Sequence, residues 1–278
     1  MGQLCILLAM FLLAYILVSA LQSVLSQFGL DVRDVLLICT FAQSALVFAL
    51  PSIIEAYFES FKPFQTLGLS KKLSSISLCG IFLIYILGFP FLNQCIYYNN
   101  QMHFPESLQN VENILRSWEN ASTEITNIIL SGNTIIDLII EVLIIGVITG
   151  ISEELFFRAG VQRIFGRVMP QHVSIWVTAL IFSAMHFQFF GFIPRVLLGA
   201  YFGYLYYWTG SIWSSGIAHA LNNSLVVVAK WLIINHYINT DFDSWGVSET
   251  GIPFIAIFSG LVSVLILSKY NRQLFNQK

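Results

Sequence analysis

An acidic pair and an arginine stand at the end of a long apolar stretch of this sequence. Glu153 and Glu154 follow an almost wholly apolar run, and Arg158 comes four residues after Glu154. On an α-helix Glu154 and Arg158 would face each other, while Glu153 would point about 100° away without a local partner. A lone carboxylate in apolar surroundings suits a general base or acid. The alternative is a solvated loop just past a helix end, with no part in chemistry.

Further polar side chains lie within the apolar segments downstream. His186 comes four residues after Phe182, and His219 comes four residues before Asn223, so each pair would share a helix face. His186 would lie about 20 Å into its own helix, deeper than the other polar groups. Polar side chains inside a bilayer are costly, so the set predicts a functional site. Taken singly, each polar residue could be an interhelical hydrogen-bonding group and Phe182 an ordinary core residue.

The composition restricts the class of protein. Of the 278 residues, 56% are hydrophobic and only 10% are charged, whereas soluble domains have about 25% charged residues. The net charge of −2 argues against nucleic acid as a partner. The four cysteines are isolated, which excludes a CxxC metal motif and disfavours a disulfide framework. The apolar N-terminus lacks a basic region before it, so we interpret it as a retained first helix.

Apolar runs long enough to cross a membrane recur along the chain, which predicts an all-α, polytopic membrane protein with about eight transmembrane helices. The predicted spans are about 4–25, 35–54, 76–97, 135–165, 173–190, 192–208, 212–234 and 252–267. The polar stretch 98–133 is predicted to contain an amphipathic surface helix at about 106–130. Three regions result: N-terminal helices with the polar loop (1–133), a core that carries the polar motifs (134–234), and a loop with the last span (235–278).

Charge and small residues add orientation and packing. Lysines and arginines gather on the side that carries both termini, which predicts cytoplasmic termini for an integral, multi-pass protein. Two GxxxG pairs, Gly146 with Gly150 and Gly199 with Gly203, predict close helix packing. They give no reason to infer dimerisation, and the oligomeric state stays open.

Taken in order, the polar motifs resemble those of the CPBP family, which comprises type II CAAX prenyl endopeptidases and bacterial Abi-type intramembrane proteases. The motifs are Glu153-Glu154-x-x-x-Arg158, Phe182-x-x-x-His186 and His219-x-x-x-Asn223. The stretch 206–213, which precedes the third motif, also looks like the family's usual lead-in. The resemblance covers about 146–225, whereas the first 130 residues match only in hydropathy.

The resemblance implies an intramembrane endopeptidase that hydrolyses a peptide bond with an activated water. Glu153 and His186 would hold and deprotonate the water. His219 and Asn223 would stabilise the developing oxyanion. Three residues would support the site: Glu154, Phe182 and Arg158, of which the arginine would neutralise the glutamate.

A catalytic zinc is a further possibility. Glu153, His186 and His219 are ligand types of a catalytic zinc site with an open position. Their spacing is not HExxH, and each would come from a separate helix. Metal-independent chemistry is therefore the favoured interpretation, and no cofactor is assigned.

The resemblance implies a membrane-anchored or lipidated substrate, which in the eukaryotic branch is a prenylated protein that loses its last three residues. The sequence shows no sign of eukaryotic origin, which favours a bacterial cytoplasmic membrane and also admits a signalling peptide, a bacteriocin or another membrane protein as substrate. Two other classes stay open. One is a non-catalytic binding or immunity protein of the same fold. The other is a proton-coupled transporter, for which Asp137 and Glu141 would matter more than as interface residues.

Overall fold

The computed structural model describes residues 2–239, 246–249 and 253–275, and these ranges contain helices and connections but no β-strand. The principal helices are α1 (Gly2–Leu25), α2 (Val32–Glu59), α3 (Ser75–Asn100), α4 (Gln109–Ile129), α5 (Ile135–Phe165), α6 (Gln171–Ala184), α7 (Phe192–Thr209), α8 (Ile212–Ile234) and α9 (Phe254–Phe275). The predicted all-α class is confirmed.

Six of the helices in the described ranges are long and apolar enough to cross a membrane, namely α1, α2, α3, α5, α7 and α8. Helix α6 has only 14 residues, a length of about 21 Å against a hydrocarbon core of about 30 Å. The polytopic membrane architecture is confirmed, whereas the count of eight spans is not, and the cytoplasmic placement of both termini stays a prediction.

Helix α5 runs without a break through the acidic pair, so of the two interpretations that the apolar run left open, one long helix is the correct one. It is irregular, because π-helical segments occupy Val142–Thr149 and Leu155–Gln162. Regular α-helix between them is limited to Gly150–Glu154. Such π-helical turns are frequent at functional sites, and here the acidic pair ends the short regular segment.

Helix α8 packs very closely on α5 at the predicted glycines. A Cβ atom on Gly146 would lie 2.2 Å from Oγ of Ser224, and one on Gly150 would lie 3.0 Å from the backbone N of Ala220. Gly199 of α7 similarly faces the backbone of α6. The prediction of close packing at the GxxxG pairs is confirmed. The contact aligns the middle of α5 with the half of α8 that carries the third motif.

Salt bridges tie both ends of α5 to α2. At its start, Arg33 lies 3.0 Å from Asp137 and 2.7 Å from the buried Glu141. At its end, Arg163 pairs with Glu55 and Glu59. Asp137 and Glu141, predicted as interface residues, therefore join two helices.

Helix α4 confirms the predicted surface helix of the polar stretch, and Glu112 fixes its first turns to the preceding loop. Its carboxylate accepts a hydrogen bond from the Phe104 N–H at 2.8 Å and from Nε of Arg116 at 2.8 Å. Nδ1 of His103 lies 3.0 Å from the same carboxylate. These hydrogen bonds lower the pKa of Glu112 from 4.5 to about 2, and the bond from the Phe104 N–H has the largest effect.

We expect this attachment to weaken in acid. Because the folded pKa of Glu112 is depressed, its stabilising contribution is complete above about pH 4.5 and is lost as the pH falls toward 2. Hydrogen exchange at the Phe104 amide, followed by NMR across this range, should report the loss of protection. Glu112→Gln should show low protection with little pH dependence, and a profile in that variant equal to wild type would contradict the assignment.

Candidate active site

Glu154 and Arg158 form a fully buried ion pair within α5. Nε of Arg158 donates to Oε2 of Glu154 at 2.8 Å, and neither side chain is exposed. The guanidinium carbon also lies 5.3 Å from the ring centroid of Phe182 on α6. The i to i+4 pairing predicted from sequence is therefore present. A pair buried this deeply has lost its hydration, so removing one partner would leave an uncompensated charge.

His219 extends this pair across to α8. Its Nδ1 lies 3.0 Å from Oε1 of Glu154. The imidazole is stacked on Phe202, with ring centroids 4.8 Å apart and planes at 17°, and it meets the edge of Phe182 at 5.7 Å. From the sequence, Glu154 was predicted to pair only with Arg158. The contact with His219 was not predicted, because the two residues lie 65 positions apart on different helices, where no spacing rule applies.

Glu153 faces the other nitrogen of the same ring. Its Oε2 lies 3.7 Å from Nε2 of His219. Its side chain is 12% exposed, whereas that of Glu154 is fully buried. Glu153 has no partner on its own helix, as predicted, and it is the carboxylate of the pair that a substrate or water can reach.

Both ring nitrogens of His219 face carboxylate oxygens, which can only accept hydrogen bonds. Nδ1, at 3.0 Å from Glu154, is the nitrogen within hydrogen-bond distance, whereas Nε2 is 3.7 Å from Glu153. The ring therefore lies between the two carboxylates and is held more closely by Glu154.

His186 lies in a turn and not within a helix, so its predicted helical depth is wrong. Helix α6 ends at Ala184, and Phe187 has a left-handed φ of 54°, which stops the helix. Nδ1 of His186 donates to the carbonyl of Phe182 at 2.8 Å, one of the carbonyls left free at the helix end. The ring also contacts that of Phe182 at 4.8 Å. Phe182 therefore touches both histidines and brings them to one place.

A chain of hydrogen bonds fixes the amide of Asn223. Its Nδ2 donates to the carbonyl of Ile145 at 3.3 Å, and its Oδ1 accepts from Nδ2 of Asn222 at 3.1 Å. Asn222 accepts in turn from the hydroxyl of Tyr85 at 3.0 Å. Since the Ile145 carbonyl can only accept, it sets the direction of every bond in the chain and leaves Asn223 one further N–H. Tyr85 was missed because a tyrosine in an apolar span is indistinguishable from a core residue.

Arg195, in the first turn of α7, is a further charged residue at the site. Its Nη1 and Nη2 donate to the backbone and side-chain oxygens of Gln188, at 3.2 and 2.8 Å. It also interacts electrostatically with Glu153 and His186. Arg195 was not predicted as a site residue from the sequence, because the turn that brings it to the site has no motif.

The proposed zinc ligands do not form a metal site in this arrangement. Within ranges 2–239, 246–249 and 253–275, no group of three or more His, Cys, Asp or Glu side chains is placed to hold a metal ion. His219 directs one nitrogen to each carboxylate, and His186 uses Nδ1 on a carbonyl. No step proposed below passes through a metal, and metal dependence stays a prediction that chelation tests.

A comparison with known protein families covers this part of the chain. Residues 135–225 match the family described as "Type II CAAX prenyl endopeptidase Rce1-like". The chain is also 27% identical over 83 residues to the uncharacterized protein YpbD of Bacillus subtilis (strain 168), an alignment that covers 28% of this chain and only 40% of that protein. No solved structure was found to match. The matched segment contains every motif residue described above, so this part of the chain is similar to the Rce1-like type II CAAX prenyl endopeptidases.

Proposed function

We propose that this protein is a membrane-embedded endopeptidase of the CAAX protease type, which hydrolyses a peptide bond with an activated water. The observation that carries the proposal is the 3.7 Å separation of Glu153 Oε2 and His219 Nε2. This distance exceeds a direct hydrogen bond, and one water or a reacting group can bridge the two atoms. The gap lies at Glu153, whose side chain is 12% exposed, whereas Glu154 and Arg158 are fully buried.

Glu153 is the general base in this proposal. It takes a proton from the water, whose oxygen attacks the scissile carbonyl carbon, and it later gives that proton to the leaving amine. His186 assists by accepting a hydrogen bond from the water. Its Nδ1 proton is committed to the Phe182 carbonyl, so Nε2 of the neutral ring is an acceptor.

His219 and Asn223 stabilise the negative charge that develops on the carbonyl oxygen. His219 donates from Nε2, and its orientation is held by Glu154, which is in turn held by Arg158. Asn223 donates its remaining N–H from a fixed amide. Donors that are oriented before the reaction need no reorganisation in the transition state, which is the main source of such stabilisation.

A lipidated or membrane-anchored peptide is the proposed substrate. A cavity of about 480 Å³ lies between α3, α7 and α9, with a largely apolar lining that includes Leu92, Leu198 and Ile257. Tyr85 also lines this cavity and begins the hydrogen-bond chain that ends at Asn223. A lipid tail in this cavity would therefore lie next to the residues that orient the oxyanion donor.

Cleavage of a quenched fluorescent lipidated peptide in liposomes tests the proposal. We expect purified wild type to cleave it with and without chelator, and His219→Ala and His186→Ala to lose most of the activity. Loss under chelator that zinc restores would replace the water-only mechanism with a metal-dependent one. Folded wild type that cleaves neither this peptide nor a broad peptide library would favour the non-catalytic binding protein instead.

A further inference from the structure

The turn between α6 and α7 is shaped around the guanidinium of Arg195. Gln188 holds two of its nitrogens through neutral oxygens. Gly191 provides the space, because a Cβ atom there would lie only 2.9 Å from Nη2 of Arg195. This guanidinium is therefore held in a fixed position. The two hydrogen bonds to Gln188 use two of its five N–H donors.

Arg195 differs from the other arginines whose side chains the structure describes, because no carboxylate of the described residues lies within 4.0 Å of it. Five arginines form such ion pairs: Arg33, Arg116, Arg158, Arg163 and Arg167. The described hydrogen-bond partners of Arg195 are the neutral oxygens of Gln188. Within the described part of the chain, this partly buried cation has therefore lost hydration without gaining an ion pair. Its position is thus suited to an anion that arrives with the substrate.

The position of Arg195 places such an anion beside the reaction centre. Gln188, which binds Arg195, follows His186 by two residues in the connection between α6 and α7. The charge of Arg195 also acts on Glu153, on His186 and on Glu119 of α4. Glu119 accepts the Phe190 N–H at 3.0 Å, so α4 is fastened to the same turn. A second carboxylate brought near Glu153 would be repelled, and a guanidinium between them would offset that repulsion.

We infer that Arg195 is the binding site for a carboxylate of the substrate, an inference that rests on the proposed peptidase function. The guanidinium presents N–H donors in a planar fork that matches a carboxylate. The carboxylate could be the free C-terminus of the peptide or an acidic side chain close to the cleaved bond. In either case Arg195 acts in substrate selection, and Gln188 and Gly191 hold it in position.

Four quenched lipidated peptides of one sequence test the inference. They carry either a free C-terminal carboxylate or an amide, combined with either Glu or Gln near the cleaved bond. We expect wild type to show about a ten- to hundredfold higher kcat/KM for one carboxylate form over its neutral counterpart, the range of a charge-assisted hydrogen bond. A preference for the free C-terminus over the amide would identify the C-terminal carboxylate as the bound group. A preference for Glu over Gln would identify the acidic side chain.

Arg195→Gln should bring that ratio close to one, mainly by raising KM for the carboxylate peptide. Gly191→Ala should reduce the ratio as well, because the added methyl group displaces the guanidinium while the charge is kept. The φ of −111° at Gly191 suits alanine, so the backbone can stay as it is. Arg167→Gln, which removes an arginine that pairs with Glu59 near the end of α5, should keep the wild-type ratio.

Two results would overturn the inference and leave the peptidase proposal intact. One is cleavage of all four peptides by wild type at equal rates. The other is an equal fall in kcat for charged and neutral peptides in Arg195→Gln, which would assign Arg195 to electrostatic support of Glu153. Failure of folded wild type to cleave any peptide would instead overturn the proposed function, and this inference with it.

Discussion

Glu153→Gln is expected to lower kcat by about 10²- to 10⁴-fold, the range that a general base contributes, while KM stays near the wild-type value. The amide has nearly the same shape as the carboxylate but cannot take a proton from water. Folding should be preserved, because Glu153 is the partly exposed acid of the pair and its contact with His219 is 3.7 Å long. Peptide cleavage at saturating substrate measures kcat, and the thermal unfolding midpoint shows whether folding is preserved.

Two comparison variants make this result specific. Glu124→Gln removes an exposed carboxylate of α4 and should leave kcat unchanged. Glu153→Asp keeps the charge but withdraws it by one methylene, so activity between those of wild type and Glu153→Gln is expected. A Glu153→Gln enzyme that retains activity within a factor of three of wild type would refute the general-base role and move attention to the two histidines.

Arg158→Met is expected to destabilise the protein by about 3–5 kcal/mol, the cost of breaking a buried ion pair from one side. Methionine fills much of the arginine's volume, so the loss comes from the charge. Glu154 would keep His219 as its partner but lose the donor at 2.8 Å, in a place without exposure. Unfolding in a denaturant series, in a fixed detergent, gives the free energy of unfolding.

The double variant Glu154→Gln with Arg158→Met separates charge from packing. It removes both members of the pair, so we expect it to recover a large part of the lost free energy of unfolding. It should still be a poor enzyme, because His219 loses the carboxylate 3.0 Å away that orients its ring. Equal stability of Arg158→Met and wild type would show that the pair contributes little to folding.

Much of this architecture could be predicted from the sequence because its signals are local. The apolar run on both sides of the acidic pair allowed one long helix as one of two interpretations, and α5 is that helix. The four-residue spacing predicted the contact of Glu154 with Arg158. Glycine spacing predicted where α5 packs closely on another helix, without indicating which one. These rules act within one helix or on one helix face, where geometry follows directly from residue number.

Contacts between helices could not be predicted in this way. His219 receives its orientation from Glu154 on α5, and Asn223 from Tyr85 on α3 through Asn222. His186 was predicted to lie in a helix because Met185 and Phe187 continue the apolar pattern. The helix instead ends at Ala184, and Phe187 has a left-handed backbone conformation. Apolar periodicity cannot distinguish a helical turn from an apolar loop.

The burial of the Glu154–Arg158–His219 cluster has a consequence for how the chain enters the membrane. Helix α5 carries charged residues that cost about 2.5–3.5 kcal/mol each at the centre of a bilayer. The imidazole that completes the cluster is synthesised 65 residues later. We therefore expect α5 to be costly to expose to lipid until α8 packs against it.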